Sequence, residues 1–180
     1  MHAAAGGVGL ILTQWARHLG ARVIGVVGSE PKAQLAKKHG CHAVLVSGRD
    51  DIVAGVKQLT KGAGVAVVYD SVGKDTFTES LDCLRPLGMM VTYGNASGPP
   101  PPVNPLELSK RGSLFLTRPT LWHYVPTRQQ LEAAARELFS QVTSKKIRVR
   151  IGQRYALADV VEAHRDLEAR RTTGSTVLIP

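Results

Sequence analysis

Cysteine is scarce in this 180-residue chain: Cys41 and Cys83 are the only two, too few for a disulfide framework and spaced like no zinc motif. A reducing, cytoplasmic setting is the expectation. Long apolar runs are missing as well, which excludes a transmembrane helix. The first residues carry neither a basic segment nor a bounded apolar stretch ending at a cleavage site, so no signal peptide is expected there. Aromatic residues make up only 5% of the chain, few for a surface that stacks nucleic-acid bases. Acidic residues are in deficit, 14 Asp and Glu against 23 Lys and Arg, for a formal charge of +9. That surplus favours anionic partners, whether nucleotide phosphates or nucleic acid; a generally basic surface has the same composition. His2, His18, His39, His42, His123 and His164 are scattered without the paired spacing of a metal site, and surface or capping positions are expected for most. Hydrophobic residues at 43% suffice for one ordinary core.

What is present is organised around the first turn. His2-Ala3-Ala4-Ala5-Gly6-Gly7-Val8-Gly9 runs straight into Leu10-Ile11-Leu12-Thr13-Gln14-Trp15-Ala16. Ala4, Gly6 and Gly9 occupy the small-residue positions of the G-x-G-x-x-G dinucleotide fingerprint, with alanine replacing the first glycine. Gly6 lets the backbone approach a pyrophosphate, and Gly9 lets the following helix pack closely on a sheet. The helix start then offers unpaired N–H groups and partial positive charge to phosphate. An ordinary glycine-rich helix entry uses the same residues. The fingerprint belongs after a β-strand, and almost nothing precedes it, so the first strand of the sheet is expected to be missing.

Periodicity then sets out alternating elements. Helices are expected over 8–19, 30–38, 51–59, 75–84, 104–110, 129–142 and 158–170. Strands are expected over 21–27, 43–46, 65–70, 89–93, 113–117 and 175–179, with short extended pieces at 148–151 and 153–157. Arg85-Pro86-Leu87-Gly88 reads as a break, and Pro99 to Pro102 as a loop of restricted φ. Strand-helix alternation implies right-handed βαβ crossovers: an α/β, Rossmann-type doubly wound parallel sheet in three α/β/α layers.

Ligands of such sheets gather at the carboxyl ends of the strands. These ends are Gly28-Ser29, Ser47, Ser71-Val72-Gly73 and Gly94-Asn95-Ala96-Ser97, all rich in small residues. After the second strand an NAD-selective site usually carries an acid, whereas an NADP site supplies small or basic residues. Here Gly28 and Ser29 are followed by Lys32, with Glu30 inside the helix start where an acid suits the dipole. NADPH is therefore the expected cofactor, although Lys32 also fits as a solvated helix residue. No residue stands out as a catalytic acid or base. Asp70 ends a strand suggestively, but a turn-capping role is expected for it.

These residues are similar to the zinc-independent quinone oxidoreductase (ζ-crystallin-like) branch of the medium-chain dehydrogenase/reductase superfamily. The matching stretches are His2–Gly9, Val68–Gly73, Ser80–Cys83, Tyr93–Asn95, Gly112–Pro119 and Gly174–Pro180, in order and across nearly the whole chain. The resemblance implies transfer of hydride or electrons from NADPH to a quinone. It places Gly6, Gly7 and Val8 at the pyrophosphate, and Gly28, Ser29 and Lys32 at the adenosine ribose phosphate. Ser47 stands where relatives often have a tyrosine of that pocket, Val72 lines the path towards the nicotinamide, and Tyr93, Gly94, Asn95, Thr120 and Leu121 flank the ring. Arg170 adds a second cationic contact, though a helix C-terminus favours arginine on its own account. It implies a Rossmann domain over 1–145 and a C-terminal return segment over 146–180. The latter packs, in the family, on an N-terminal GroES-like catalytic domain that has no counterpart in these residues. Without that domain the strand at 176–179 is expected to leave an exposed apolar edge or to fill the vacant centre of the sheet. Homodimers through the edge strand Ser113–Thr117 are also implied.

Three functional classes remain at this stage. The chain is a quinone reductase or part of one, an NADPH-binding module without turnover, or a basic RNA binder. For the last, Lys145-Lys146-Ile147-Arg148-Val149-Arg150 is the only dense cationic run.

Overall fold

In the computed structural model, which describes residues 1–180, helix and strand alternate from Gly7 to Thr117 and again, after two successive helices, to the end of the chain. Helix α1 (Gly7–His18) is followed by β1 (Ile24–Val27), α2 (Glu30–Lys38), β2 (Ala43–Val46), α3 (Ile52–Leu59) and β3 (Val65–Asp70). Then come α4 (Phe77–Asp82), β4 (Leu84–Thr92), α5 (Pro105–Lys110), β5 (Phe115–Thr117), α6 (Leu121–Tyr124) and α7 (Arg128–Thr143). The chain closes with β6 (Ile151–Ala156), a 3-10 turn at Leu157–Asp159, α8 (Val160–Glu168) and β7 (Ser175–Ile179). Local chemistry sets the boundaries. The Asp51 side chain accepts from the Ala54 N–H to start α3, and Asn104 does the same for Leu106 at α5. Thr127 and Gln130 form a reciprocal capping box on α7.

All strand pairs are parallel. β1 pairs with β2, β3 with β4, β4 with β5, and β6 with β7. The first two groups are joined by residues 1–4, although these are not a regular strand. The Met1 amine donates to the Ile24 carbonyl at 3.0 Å, and Val26 N–H donates back to Met1 at 2.9 Å. His2 N–H meets the Tyr69 carbonyl at 3.0 Å, and Ala4 N–H meets Val26 at 3.2 Å. Through this bridge the order is β2, β1, residues 1–4, β3, β4, β5, the arrangement of a doubly wound sheet. Residues 1–4 thus occupy the central position between β1 and β3.

One apolar cluster lies under α3 and α4 and includes Val56, Val68, Phe77, Leu81 and Met90. A second, of Ala4, Ala5, Val27, Ala33, Ala36 and Val46, lies under α2. No helix is long and apolar enough to cross a membrane.

The structure departs from the sequence expectations in several places. Arg85–Gly88 does not interrupt β4: Leu84 pairs with Val65 and Met89 with Val67, so the four residues bulge from a continuous strand opposite Ala66 alone. The extended run at 21–27 pairs regularly only from Ile24, and β6 starts at Ile151, leaving 148–150 as a connection. β7 does not enter the sheet centre, and its Leu178 and Ile179 are exposed, 37% and 48%. It pairs with β6, and Gly174 bridges to Gly6. Finally α6, a single turn capped by Thr120, was not legible from periodicity.

Candidate functional site

The site is built from the carboxyl ends of the strands and the start of α1. Gly9 explains the entry geometry: a Cβ there would lie 2.2 Å from the Ala3 carbonyl oxygen, so only glycine lets the turn fold back on the helix. Gly6 has no side chain to cap α1, and no acid occupies the first turn. The first N–H groups therefore face outward without an internal partner. Val8 is 61% exposed, an apolar residue at the mouth of an uncapped helix. At the end of β1 a Cβ on Gly28 would meet nothing within 4 Å, so open space lies before the backbone.

Ser29 caps α2 through its backbone while its hydroxyl makes no capping bond, leaving it free to donate outward. Glu30, which could mimic an NAD-selective acid, is bound by Arg49 at 2.6 Å. Lys32 Nζ donates to the Arg170 carbonyl at 2.5 Å, although 138 residues separate them. Burial and the Arg170 guanidinium beside it push the Lys32 ammonium below the ordinary lysine range. Arg170 also lies 3.7 Å from Asp75, which ties the basic cluster to the loop after β3. Lys32, Lys38, Arg150, Arg170 and Arg171 line one cleft of about 780 Å³. Lys38 was not singled out by sequence reasoning and Arg150 was read only as part of the dense cationic run, because nothing in the sequence shows that positions 112 residues apart share a wall. Ser47, exposed, extends the ladder by donating to the Val27 carbonyl at 2.8 Å, beside Gly28.

The next two loops interlock. Ala96 N–H reaches the Ser71 carbonyl at 3.2 Å, and Ser97 N–H reaches Val72 at 2.8 Å. Gly94 is required here, since a Cβ would lie 2.4 Å from the Ser71 oxygen. Asn95 is exposed at the tip. Thr120 and Leu121 make no recorded bond to Tyr93–Asn95; Arg118 links the two segments by donating to the Gly94 carbonyl at 3.2 Å. Leu121 and Trp122 are 60% and 66% exposed, leaving an open apolar rim.

Asp70 caps the loop it precedes. Its carboxylate accepts from the Val72 and Gly73 N–H groups at 2.7 and 3.2 Å, and from the Thr76 and Ser80 hydroxyls at 2.7 and 2.9 Å. Burial alone would raise this carboxyl, but His2 and the donors Thr76, Ser80 and Val72 outweigh it and hold it below the usual range. Ser80 Oγ also lies 2.9 Å from His2 Nε2. The single hydroxyl proton goes to Asp70, so His2 donates to Ser80 from Nε2. Burial and the nearby N-terminal amine push His2 down to about 4. Ser80 is fully buried and points its proton away from the imidazole, so this Ser-His-Asp group is a structural network and not a nucleophile. His2 itself is 3% exposed, unlike the surface or capping positions expected for most of the histidines.

Burial raises the Cys41 thiol, and burial with Glu79 nearby pushes Cys83 up to about 11, so neither is a reactive thiolate. The dense cationic run is broken at Ile147, which is 1% exposed. Arg148 is held by its backbone to Gln14 at 3.0 and 3.1 Å.

The sequence profile of zinc-binding dehydrogenases matches residues 7–140. A quinone oxidoreductase of Pseudomonas aeruginosa is 52% identical over 99% of this chain and 55% of its own length. A 2-haloacrylate reductase of Burkholderia is 47% identical over 100% of this chain and 54% of its own. The structure of Escherichia coli quinone oxidoreductase complexed with NADPH superposes with a TM-score of 0.96 at 50% identity, over 99% of this chain and 56% of that one. The chain thus spans about half the length of the relatives it matches. Zinc, which the profile's description implies, finds no donor set here: no three His, Cys, Asp or Glu residues gather as ligands.

Proposed function

The chain belongs to the zinc-binding dehydrogenase family, and from that premise we propose that it is the NADPH-binding portion of an NADPH-dependent quinone oxidoreductase. The observation that carries this reading is the cluster at α2, where a free Ser29 hydroxyl, Lys32 and Arg170 converge while Arg49 neutralises Glu30. Such a site suits a ribose carrying a phosphate and leaves no acid to hold a free 2′-hydroxyl.

Residues 1–145 form the cofactor domain on this reading, and 146–180 bring Arg170 to it. Gly6, Gly7 and Val8 hold the pyrophosphate at the uncapped start of α1. Gly28, Ser29, Lys32, Ser47 and Arg170 hold the adenosine ribose phosphate. Val72 lines the path between the two ends, and Tyr93, Gly94, Asn95, Thr120 and Leu121 flank the nicotinamide. The bound cofactor supplies the hydride or electrons; the chain supplies orientation and electrostatic field. A small electron-poor acceptor, a quinone or a conjugated acid like that in the haloacrylate relative's name, is the substrate class. Association through the β5 edge and a cytoplasmic location complete the proposal.

Fluorescence titration with NADPH and NADH, followed by addition of a small quinone, tests it. NADPH-selective binding with quinone-dependent oxidation is expected of a complete enzyme. Selective binding without oxidation assigns the chain as a cofactor-binding module. Absence of NADPH binding overturns the reading.

A further inference from the structure

Glu30 opens α2 in a place where an acid counts against a phosphate. Its two chain neighbours, Ser29 and Pro31, both line the cleft of Lys32 and Arg170. A bare carboxylate at this point repels a phosphate and accepts from a free ribose hydroxyl, the preference of an NAD site.

Arg49 prevents this, and the loop after β2 holds it in place to do so. Val27 pairs with Val46 at the ends of β1 and β2, and Ser47 N–H donates to the Val27 carbonyl. The loop that carries Arg49 therefore lies beside the Gly28–Ser29 turn. Gly48, at φ +82°, turns the backbone between Ser47 and Arg49 in a conformation that favours glycine. The guanidinium then donates to Glu30 Oε2 from Nη1 at 2.6 Å. From Nε and Nη2 it grips Asp50 at 2.9 and 3.1 Å. Asp50 is itself anchored, accepting from the Val46 N–H at 2.7 Å. Hydrogen bonds from Arg49 and Val46 hold the Asp50 carboxyl down to about 2, so the grip stays ionic at neutral pH. A guanidinium has five N–H donors. Three are engaged here, which leaves one on Nη1 and one on Nη2. Arg49 and Glu30 are both more than half exposed, and such a pair adds little to stability. Its effect falls on what binds beside it. We propose that Arg49 determines the cofactor choice, silencing Glu30 with one N–H and offering the two free ones to the 2′-phosphate of NADPH. This inference rests on the cofactor reading and adds to it a residue that does not line the basic cleft.

The test titrates three chains with NADPH and with NADH, following cofactor fluorescence. They are the wild type, Arg49→Gln, and the double variant Glu30→Gln with Arg49→Gln. Arg49→Gln is expected to bind NADPH about 30- to 100-fold more weakly, having lost charge-assisted donors and bared Glu30. Its NADH affinity is expected to rise about 5-fold, the worth of one net hydrogen bond from the ribose to Glu30. Replacing Glu30 as well is expected to shrink the NADPH loss to about 10-fold and to abolish the NADH gain. Thermal midpoints of the three chains are expected to agree within about 2 °C, as for an exposed pair. Unchanged selectivity in Arg49→Gln overturns this proposal while the cofactor reading stands. So does an equal NADPH loss in the single and double variants. A wild-type chain that does not prefer NADPH overturns both.

Discussion

Lys32 and Arg170 show how a residue's role depends on its neighbour. A lone helix lysine is a solvated charge, but this one is drawn against the Arg170 carbonyl beside a serine hydroxyl that its own helix leaves unused. Lys32→Ala is expected to weaken NADPH binding by about 10- to 100-fold, the worth of a charge-assisted hydrogen bond, and to leave NADH affinity unchanged. Parallel titrations check this; an equal loss for both cofactors would place Lys32 elsewhere on the ligand. Gly9 makes the opposite kind of contribution, through space it leaves empty. Gly9→Ala drives a methyl to 2.2 Å from the Ala3 oxygen and is expected to destabilise the fold by about 1–3 kcal/mol. Calorimetry checks that figure, with an unchanged midpoint as the contrary outcome.

Between β3 and α4 the turn is held by a network that contains two titratable groups, His2 and Asp70. His2 stays neutral down to about 4 in the folded chain, whereas an unfolded histidine takes up its proton near 6.5. Between those values the unfolded state binds more protons, so stability falls as pH falls. The loss approaches about 3 kcal/mol by pH 4. Asp70 adds its own loss below the ordinary carboxylate range, because its folded carboxyl is held lower still. Urea midpoints measured from pH 7 to pH 4 are expected to follow this slope, and His2→Asn to flatten it above pH 4. An identical slope in the variant assigns the dependence to other groups. The legibility of the turn was uneven: Asp70 was readable as a cap from its place at a strand end. His2 was not, because its partner Ser80 lies 78 residues away.

For the whole molecule, the sheet ends on one side at β5, whose Phe115 is 56% exposed. An apolar residue on an open edge invites pairing with a second edge. Sedimentation of the wild type is expected to give a dimer and of Phe115→Asp a monomer. A monomeric wild type removes the dimer from the proposal.

Sequence alone determined the elements and their class. Apolar periodicity and the caps are local properties, so α2, β2, β3 and β7 fall at the residues expected, and alternation makes the sheet parallel. The small and basic residues from Gly28 to Lys32, on which the proposed phosphate site rests, were likewise legible, because they follow the second strand directly in sequence. Tertiary structure decided the rest: that Glu30 is neutralised, that Arg150 and Arg170 share a wall with Lys32, and that β7 pairs with β6 and not at the sheet centre. It also decided that residues 1–4 stand between β1 and β3, bonded to both. Each of these depends on which distant backbone or charge becomes a neighbour. That is settled by long-range packing and hydrogen-bond satisfaction, to which a periodicity of two or 3.6 residues is blind.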